Sequence, residues 1–227
     1  MEFAPNPDRA ANRRSQPAYH YPEAARYLHI SLSTLRSWFS GQAGFAPVIE
    51  LSDPLVKALS FDNLVEAHVL AAIRRKHRIP LQRVRRALDF TKDHFGVDRP
   101  LIHQQFATNG VDLFVEGLGE TVNASQGGQL AMQMRARLDR VDRDNHGFPI
   151  KLFPFTRTSE EPTDARIIVI DPQLAFGRPA IVHKGIPTDV IAQRYGAGES
   201  ACDIAEDYGV DLSAIDEALR CELRLAA

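Results

Sequence analysis

The sequence predicts a mainly α protein with minor β: a helix-turn-helix head, a small α+β middle, and a C-terminal three-helix unit, itself helix-turn-helix-like, with a short strand pair. Three observations carry that prediction. Apolar residues return at spacings of three and four through most of the chain, the period of a one-faced helix. Short apolar runs bounded by Gly, Pro or Asn, the mark of strands and turns, are confined to the middle and the start of the tail. An apolar fraction of 44% with 25% charged residues suits a soluble globular core, and no apolar run approaches the roughly 18–20 residues that span a bilayer.

Taken in order, residues 1–17 hold three prolines and few large apolar side chains, so they read as a flexible arm, made basic by Arg9, Arg13 and Arg14. A first helix starts at Tyr21-Pro22 and repeats Ala24, Ala25 and Leu28 on one face. His29-Ile30 turns the chain, Ser31 caps a second helix over 32–39, and Gly41 ends it. Residues 42–60 fit a short hairpin or loop. A third helix over 61–77 turns Phe61, Leu64, Val65, Val69 and Ile73 inward, and a fourth follows Pro80 through Leu81, Val84 and Leu88. The head closes near residue 98, between Gly96 and Pro100.

The middle, 101–157, carries Asn109-Gly110 between two apolar runs, a hairpin signal. An amphipathic helix over 126–143 follows through Leu130, Met134 and Leu138, then a strand over 150–155. The polar linker 158–164 separates the tail, 165–227, which opens with strands at 166–170 and 179–184. Helices over 187–195, 200–208 and 212–225 complete it.

The net charge of −2 conceals an asymmetry. Residues 1–100 hold 15 Lys and Arg against 10 Asp and Glu, whereas 101–227 hold 12 against 19. One half is suited to a polyanion and the other is not. Neither a leader sequence nor a membrane span is legible, so the reading is cytoplasmic. Cys202 and Cys221 are too few for a disulfide framework or a zinc site.

The sharpest local pattern is YPEAARYLHISLSTLRSWFSG, residues 21–41. Leu35, Trp38 and Phe39 lie on one face and pack toward Ala24, Ala25 and Leu28, which leaves Ser33, Thr34, Arg36 and Ser37 outward on the second helix. Small hydroxyls reach phosphates, and one Arg can fork to guanine O6 and N7. An ordinary αα-hairpin with a polar outer face has the same spacing. Downstream, Arg74, Arg75, Lys76, Arg78, Arg83, Arg85 and Arg86 fall within 13 residues that contain no acid. A solvated helix face usually alternates signs, so these charges need either distant acids or phosphates.

Residues 21–38 resemble the winged helix-turn-helix of MerR-type regulators, and the resemblance continues at 59–90 (LSFDNLVEAHVLAAIRRKHRIPLQRVRRALDF). It implies a winged head over 18–98 that binds DNA. The long dimerisation helix and effector-binding tail of that family are not recognisable, so effector sensing is not carried over. The tail resembles a small domain encoded beside PIN-like nucleases, through Asp171, Pro172, Gly177, Pro179, Ile181, Ala197, Gly198, Ser200, Ile204 and Ala205. Lys184-Gly185-Ile186-Pro187 departs from that family's more usual Gly-Thr-Arg-Ile-Pro text.

Together the two resemblances imply a VapB-type antitoxin. Its partners would be a PIN-like ribonuclease and operator DNA, in a homodimer or a toxin–antitoxin hetero-oligomer. Arg220, Arg224, Ile215 and Leu219 are the candidate toxin contacts, the arginines because a cation among the nuclease's carboxylates displaces metal. The acids of the tail, Glu199, Asp203, Glu206, Asp207, Asp211, Asp216, Glu217 and Glu222, exclude it from DNA. The alternative is a stand-alone regulator with a dimerising or ligand-sensing C-terminal region, and a DNA-free adaptor is a third reading. No catalytic set is legible: the histidines are scattered, Gly127-Gly128 lacks the residues of a phosphate loop, and there is no GxSxG. The expectation is a non-enzymatic protein with no cofactor and no metal.

Overall fold

The computed structural model describes residues 13–41, 46–76, 79–119, 123–157 and 165–222, the side chains of 74–76 excepted. The chain is mainly helical with two small antiparallel sheets of two strands each. Helices α1 (Tyr21–Tyr27) and α2 (Leu32–Phe39) flank a turn whose His29 is left-handed, at φ 55°. Ser31 caps α2, its hydroxyl accepting from the Thr34 N–H at 3.1 Å. Ala24, Ala25, Leu28, Leu35, Trp38 and Phe39 are buried, as their spacing requires. After α2 the described residues 46–60 form a loop, so the loop alternative is the one adopted there. A single bridge between Tyr19 and Leu59 closes it.

Helix α3 (Phe61–Lys76) is the centre of the molecule. Every residue from Ser60 to Ile73 is buried, including Asp62, Asn63, Glu66 and His68. A helix covered on all sides loses its one-faced pattern, and its polar residues must then find partners inside. Asn63 binds Ser52, Ser60 and the Glu50 carbonyl, while Glu66 takes the Arg99 guanidinium at 3.0 Å. The imidazole of His68 lies 3.1 Å from the Arg137 carbonyl, and Arg137 donates in turn to the His68 carbonyl at 2.9 Å. Burial holds the His68 pKa well below its usual range, and the Arg137 charge adds to that.

Helix α4 (Leu81–Phe95) ends at Gly96, left-handed at φ 64°. Next comes the main departure from the sequence reading. Asn109-Gly110 does not turn a hairpin. A short 3-10 turn, Pro100–Ile102, leads to a π-helical turn, Phe106–Gly110, and on into α5 (Val111–Gly117). Gly110 has φ −70°, so the left-handed backbone that an Asn-Gly hairpin needs is absent. The two apolar runs are one helical face: Phe106, Val111, Phe114 and Leu118 are buried together. Helix α6 (Ala124–Leu138) is capped by Asn123 and stops before the expected 143, because Val141–Arg143 is β1, paired with β2 (Pro149–Leu152).

In the tail, β3 (Ile168–Val169) pairs with β4 (Ala180–Ile181), and α7 (Thr188–Gly196), α8 (Ala201–Tyr208) and α9 (Leu212–Glu222) pack together. The tail does not hang free. A bridge from Leu152 to Ile170 joins it to β2, and the Glu222 carboxylate meets Arg26 of α1 at 2.8 Å. One continuous buried cluster runs from Tyr19 to Cys221.

Candidate nucleic-acid interface

Trp38, Leu70, Ile73, Leu81 and Val84 line one small cleft, so the buried face of α2 lies toward α3 and the start of α4. Arg36 is exposed on α2, next to Tyr21. Burial raises the Tyr21 hydroxyl pKa, and the positive charge of Arg36 works against that rise. Ser33 is exposed, with its hydroxyl 3.1 Å from that of Ser31. Thr34 and Ser37 are half-buried. The Ser37 hydroxyl donates to the Thr34 carbonyl at 2.7 Å, and Thr34 accepts from the Ser31 hydroxyl at 2.8 Å. Since the Ser31 hydroxyl gives its one proton to Thr34, Ser33 is the donor to Ser31. Ser33 and Ser37 therefore offer lone pairs outward, and Arg36 is the free donor on the helix.

The basic cluster is divided by the fold. Arg83 and Arg86 are exposed on α4 three residues apart, hence on one face. Arg85 points elsewhere, and its guanidinium donates to the Ala46 carbonyl of the loop. Arg74 and Arg75 lie in the last turn of α3, and Arg78 falls outside the described residues. The arm is also revised. Arg14 is docked, 3.3 Å from Asp62 and 4.3 Å over the Phe148 ring, so it is a structural residue and not a free basic one. Arg9 lies outside the described residues.

Partner usage separates the arginines. Those of the middle and tail with described side chains are held by carboxylates or carbonyls: Arg135 by Asp112, Arg157 by Glu217, Arg166 by Asp142, Arg178 by Asp189, Arg194 by Glu199 and Asp207. Arg13, Arg36, Arg83 and Arg86 make neither an ion pair nor a hydrogen bond among the described residues. Sequence order predicted a cluster. Only the fold shows which of its members are uncommitted.

The candidate partner contacts of the tail fare differently. Ile215 is fully buried, because α9 is the helix on which α7, α8 and α1 converge, so it belongs to the core and not to an outer surface. Leu219 is half-buried against the same cluster. Arg220 is exposed but donates to Glu217 at 2.6 Å, and Arg224 lies outside the described residues. Glu217 is held below the usual carboxylate range: burial pushes its pKa up, and the hydrogen bonds from Thr156 and Arg157 with the Arg220 charge outweigh that. Cys221 is buried and its thiol is pushed up to about 12, while Cys202 is exposed. Among the described residues no three His, Cys, Asp or Glu side chains converge as a metal site, and no helix is long and apolar enough to cross a membrane.

Residues 17–88 match the family described as "Putative DNA-binding HTH domain", and residues 168–220 match "Protein of unknown function (DUF433)". The chain is 25% identical over 216 residues to the uncharacterised protein Rv2308 of Mycobacterium tuberculosis, covering 88% of each chain. It is 27% identical over 232 residues to a protein of the same organism named "Putative antitoxin VapB45", covering 89% of this chain and 92% of that one. The crystal structure of Rv2018 from M. tuberculosis superposes with a TM-score of 0.69 at 26% identity, over 90% of this chain and 98% of that one. The head thus carries a helix-turn-helix domain.

Proposed function

We propose that this chain is the antitoxin of a type II toxin–antitoxin pair: a non-enzymatic regulator that represses its own operon through a MerR-like winged head and neutralises a PIN-like ribonuclease. One observation carries the DNA half. Arg36, Arg83 and Arg86 are exposed and uncommitted in a protein that ties down nearly all its other described arginines. A guanidinium with no internal partner gives up only water when it meets phosphate or a base edge, and each such phosphate contact releases counterions. In this reading α2 enters the major groove, Arg36 forks to a guanine, Ser33 and Thr34 contact the backbone, and Arg83 and Arg86 clamp phosphates beside it. Arg74, Arg75 and Arg78 extend the same basic stretch.

The antitoxin half is supported by the likeness to "Putative antitoxin VapB45" along nearly the whole chain. Neutralisation works by capping the nuclease's carboxylate and metal centre, or by placing a cation in it. Arg220 is the described candidate for that cation, since Glu217 keeps Arg157 when Arg220 leaves. The complex is a homodimer or a toxin–antitoxin hetero-oligomer.

The test is co-expression of the full chain with any PIN-like nuclease that its own operon is found to encode. Arg36→Ala should lose repression of the operon and still protect growth. Loss of protection would tie the nuclease to the reading helix, and unchanged repression would remove α2 from the DNA. Removing the tail is a poor substitute, because residues such as Tyr27 and Leu152 would lose the cover of Glu222 and Ile170.

One observation favours the alternative of a stand-alone, ligand-sensing regulator. A cavity of about 580 Å³ lies between the loop, α3 and α4, lined by Glu50, Glu66, Asp89, Arg85, Lys92 and Arg99. That volume falls within the usual range of small-molecule sites. Operator affinity that changes with a small zwitterionic ligand, in a strain without the nuclease, is the result that selects it.

A further inference from the structure

Packing accounts for the ring of Tyr21 but not for its hydroxyl. Tyr21 opens α1, and its ring meets that of Phe39, the last residue of α2, edge-on at a centroid distance of 5.9 Å. The ring is half-buried against the core, so its apolar part is used. The hydroxyl makes no hydrogen bond among the described residues and stays open to solvent. The other tyrosines of the head differ. The Tyr27 hydroxyl accepts from Arg26 at 3.3 Å. Tyr19 is buried, with Gly177 so close that a β-carbon there would stand 2.7 Å from its hydroxyl. A phenylalanine at position 21 would fill the same space and would spare the partial desolvation of a polar group.

The hydroxyl also stands beside the side chain on which the DNA reading turns. Arg36 and Phe39 are one turn apart on α2 and hence share a side of it. The Arg36 charge is felt at the Tyr21 hydroxyl, where it opposes the rise in pKa that burial causes. Burial is the larger effect, so the phenol keeps its proton and can donate it. The nearest acid along the chain, Glu23, lies about 200° round the helix from Tyr21. Its carboxylate is taken up by the His20 N–H at 3.1 Å. Two donors without internal partners, one on each helix of the motif, therefore lie at one place: the Tyr21 hydroxyl and the Arg36 guanidinium.

When the second helix of this motif enters the major groove, its N-terminal part reaches the bases and the first helix crosses the phosphate backbone. Tyr21 is on the first helix and packs on the C-terminal end of the second, away from the base-reading end. We propose that the Tyr21 hydroxyl is a further DNA contact, donating to a phosphate oxygen at the edge of the groove that α2 enters. The contact rests on the DNA half of the reading above and differs in kind from its arginines. A neutral donor strengthens binding on every sequence without releasing a counterion.

Fluorescence anisotropy of the full chain on its own promoter duplex and on a random duplex, each over a range of salt, tests this. Tyr21→Phe should weaken both by about the same factor, roughly 10-fold, the size of one hydrogen bond to a charged group. The slope of log affinity against log salt should not change, and the melting temperature should stay at the wild-type value because the ring remains. An affinity equal to wild type, in a protein that Arg36→Ala does weaken, overturns the contact and leaves the DNA reading standing. A loss confined to the promoter duplex would place the hydroxyl on a base or on Arg36 and overturns the phosphate assignment. A loss matched by a lower melting temperature makes the hydroxyl structural and overturns it as well. A wild type that binds neither duplex overturns the DNA reading itself, and this contact with it.

Discussion

Arg83, Arg85 and Arg86 are indistinguishable in sequence, and the structure gives them two different roles. Arg85 is spent on the Ala46 carbonyl, while Arg83 and Arg86 face solvent with no ion pair or hydrogen bond among the described residues. The double change Arg83→Ala with Arg86→Ala should reduce the slope of log affinity against log salt by about 2, equally for all DNA sequences. Arg85→Ala should leave the slope nearly unchanged and lower the melting temperature, since it releases a loop. Equal slope changes for the two variants would show that Arg85 leaves Ala46 to reach phosphate. Arg36→Ala, by contrast, should cost about 1–3 kcal/mol on the operator and blur preference at one base position. A competition assay against operators varied one base at a time reads this directly. The hydroxyls beside Arg36 were legible as an outward face. Their internal hydrogen bonds were not, because Ser31, Thr34 and Ser37 satisfy one another only once the helix is capped.

Among the elements, the long amphipathic helices and the helix-turn-helix were readable because burial on one side imprints the 3.6-residue period on the chain. The failure at Asn109-Gly110 has an equally local cause. An Asn-Gly pair between apolar runs fits a hairpin, but Phe106, Val111, Phe114 and Leu118 fit a helical face as well, and packing on α4 decides between them. Glycines of α5 and α6 test this packing. A β-carbon on Gly117 would lie 3.0 Å from the Ala87 Cα of α4, so Gly117→Val should destabilise the protein by about 1–3 kcal/mol through overpacking. Gly128 is exposed in α6 with nothing within 4 Å, so Gly128→Ala should stabilise it by about 0.5–1 kcal/mol. Denaturant titration of both variants checks the pair, and a neutral Gly117→Val would mean that α5 does not press on α4.

At the scale of the whole molecule, Asp62 is where three regions meet. It faces Arg14 of the N-terminal segment and Arg99 at the start of the middle, with Glu66 on its own helix. Burial pushes its carboxyl up to about 6, against the pull of the two arginines. The folded chain therefore binds a proton more readily than the unfolded chain between about pH 4 and 6, and this group's contribution falls as pH rises through that window. Relative to Asp62→Asn, the wild type should lose up to about 3 kcal/mol of stability on going from pH 4 to pH 7. Guanidinium unfolding of both proteins across that range measures the difference. A gap that is constant, or that closes with rising pH, would mean that the arginines dominate and Asp62 is ionised throughout.

The sequence by itself determined the class of the fold, the helix-turn-helix with its caps, the strand pair of the tail, and the division of charge between the halves. Each of these is written locally, in period, capping residue or composition. Tertiary structure alone decided which arginines stay uncommitted, that Ile215 is core and not surface, that α3 is covered on all sides, and that the tail is bound to the head through Glu222 and Arg26. Those outcomes depend on residues up to 196 positions apart being brought within 2.8 Å, Arg26 and Glu222 among them. A pattern with a period of a few residues carries no record of such pairings. They follow from the free energy of closing one core, in which a charge or an apolar face is satisfied by whichever distant segment the packing delivers.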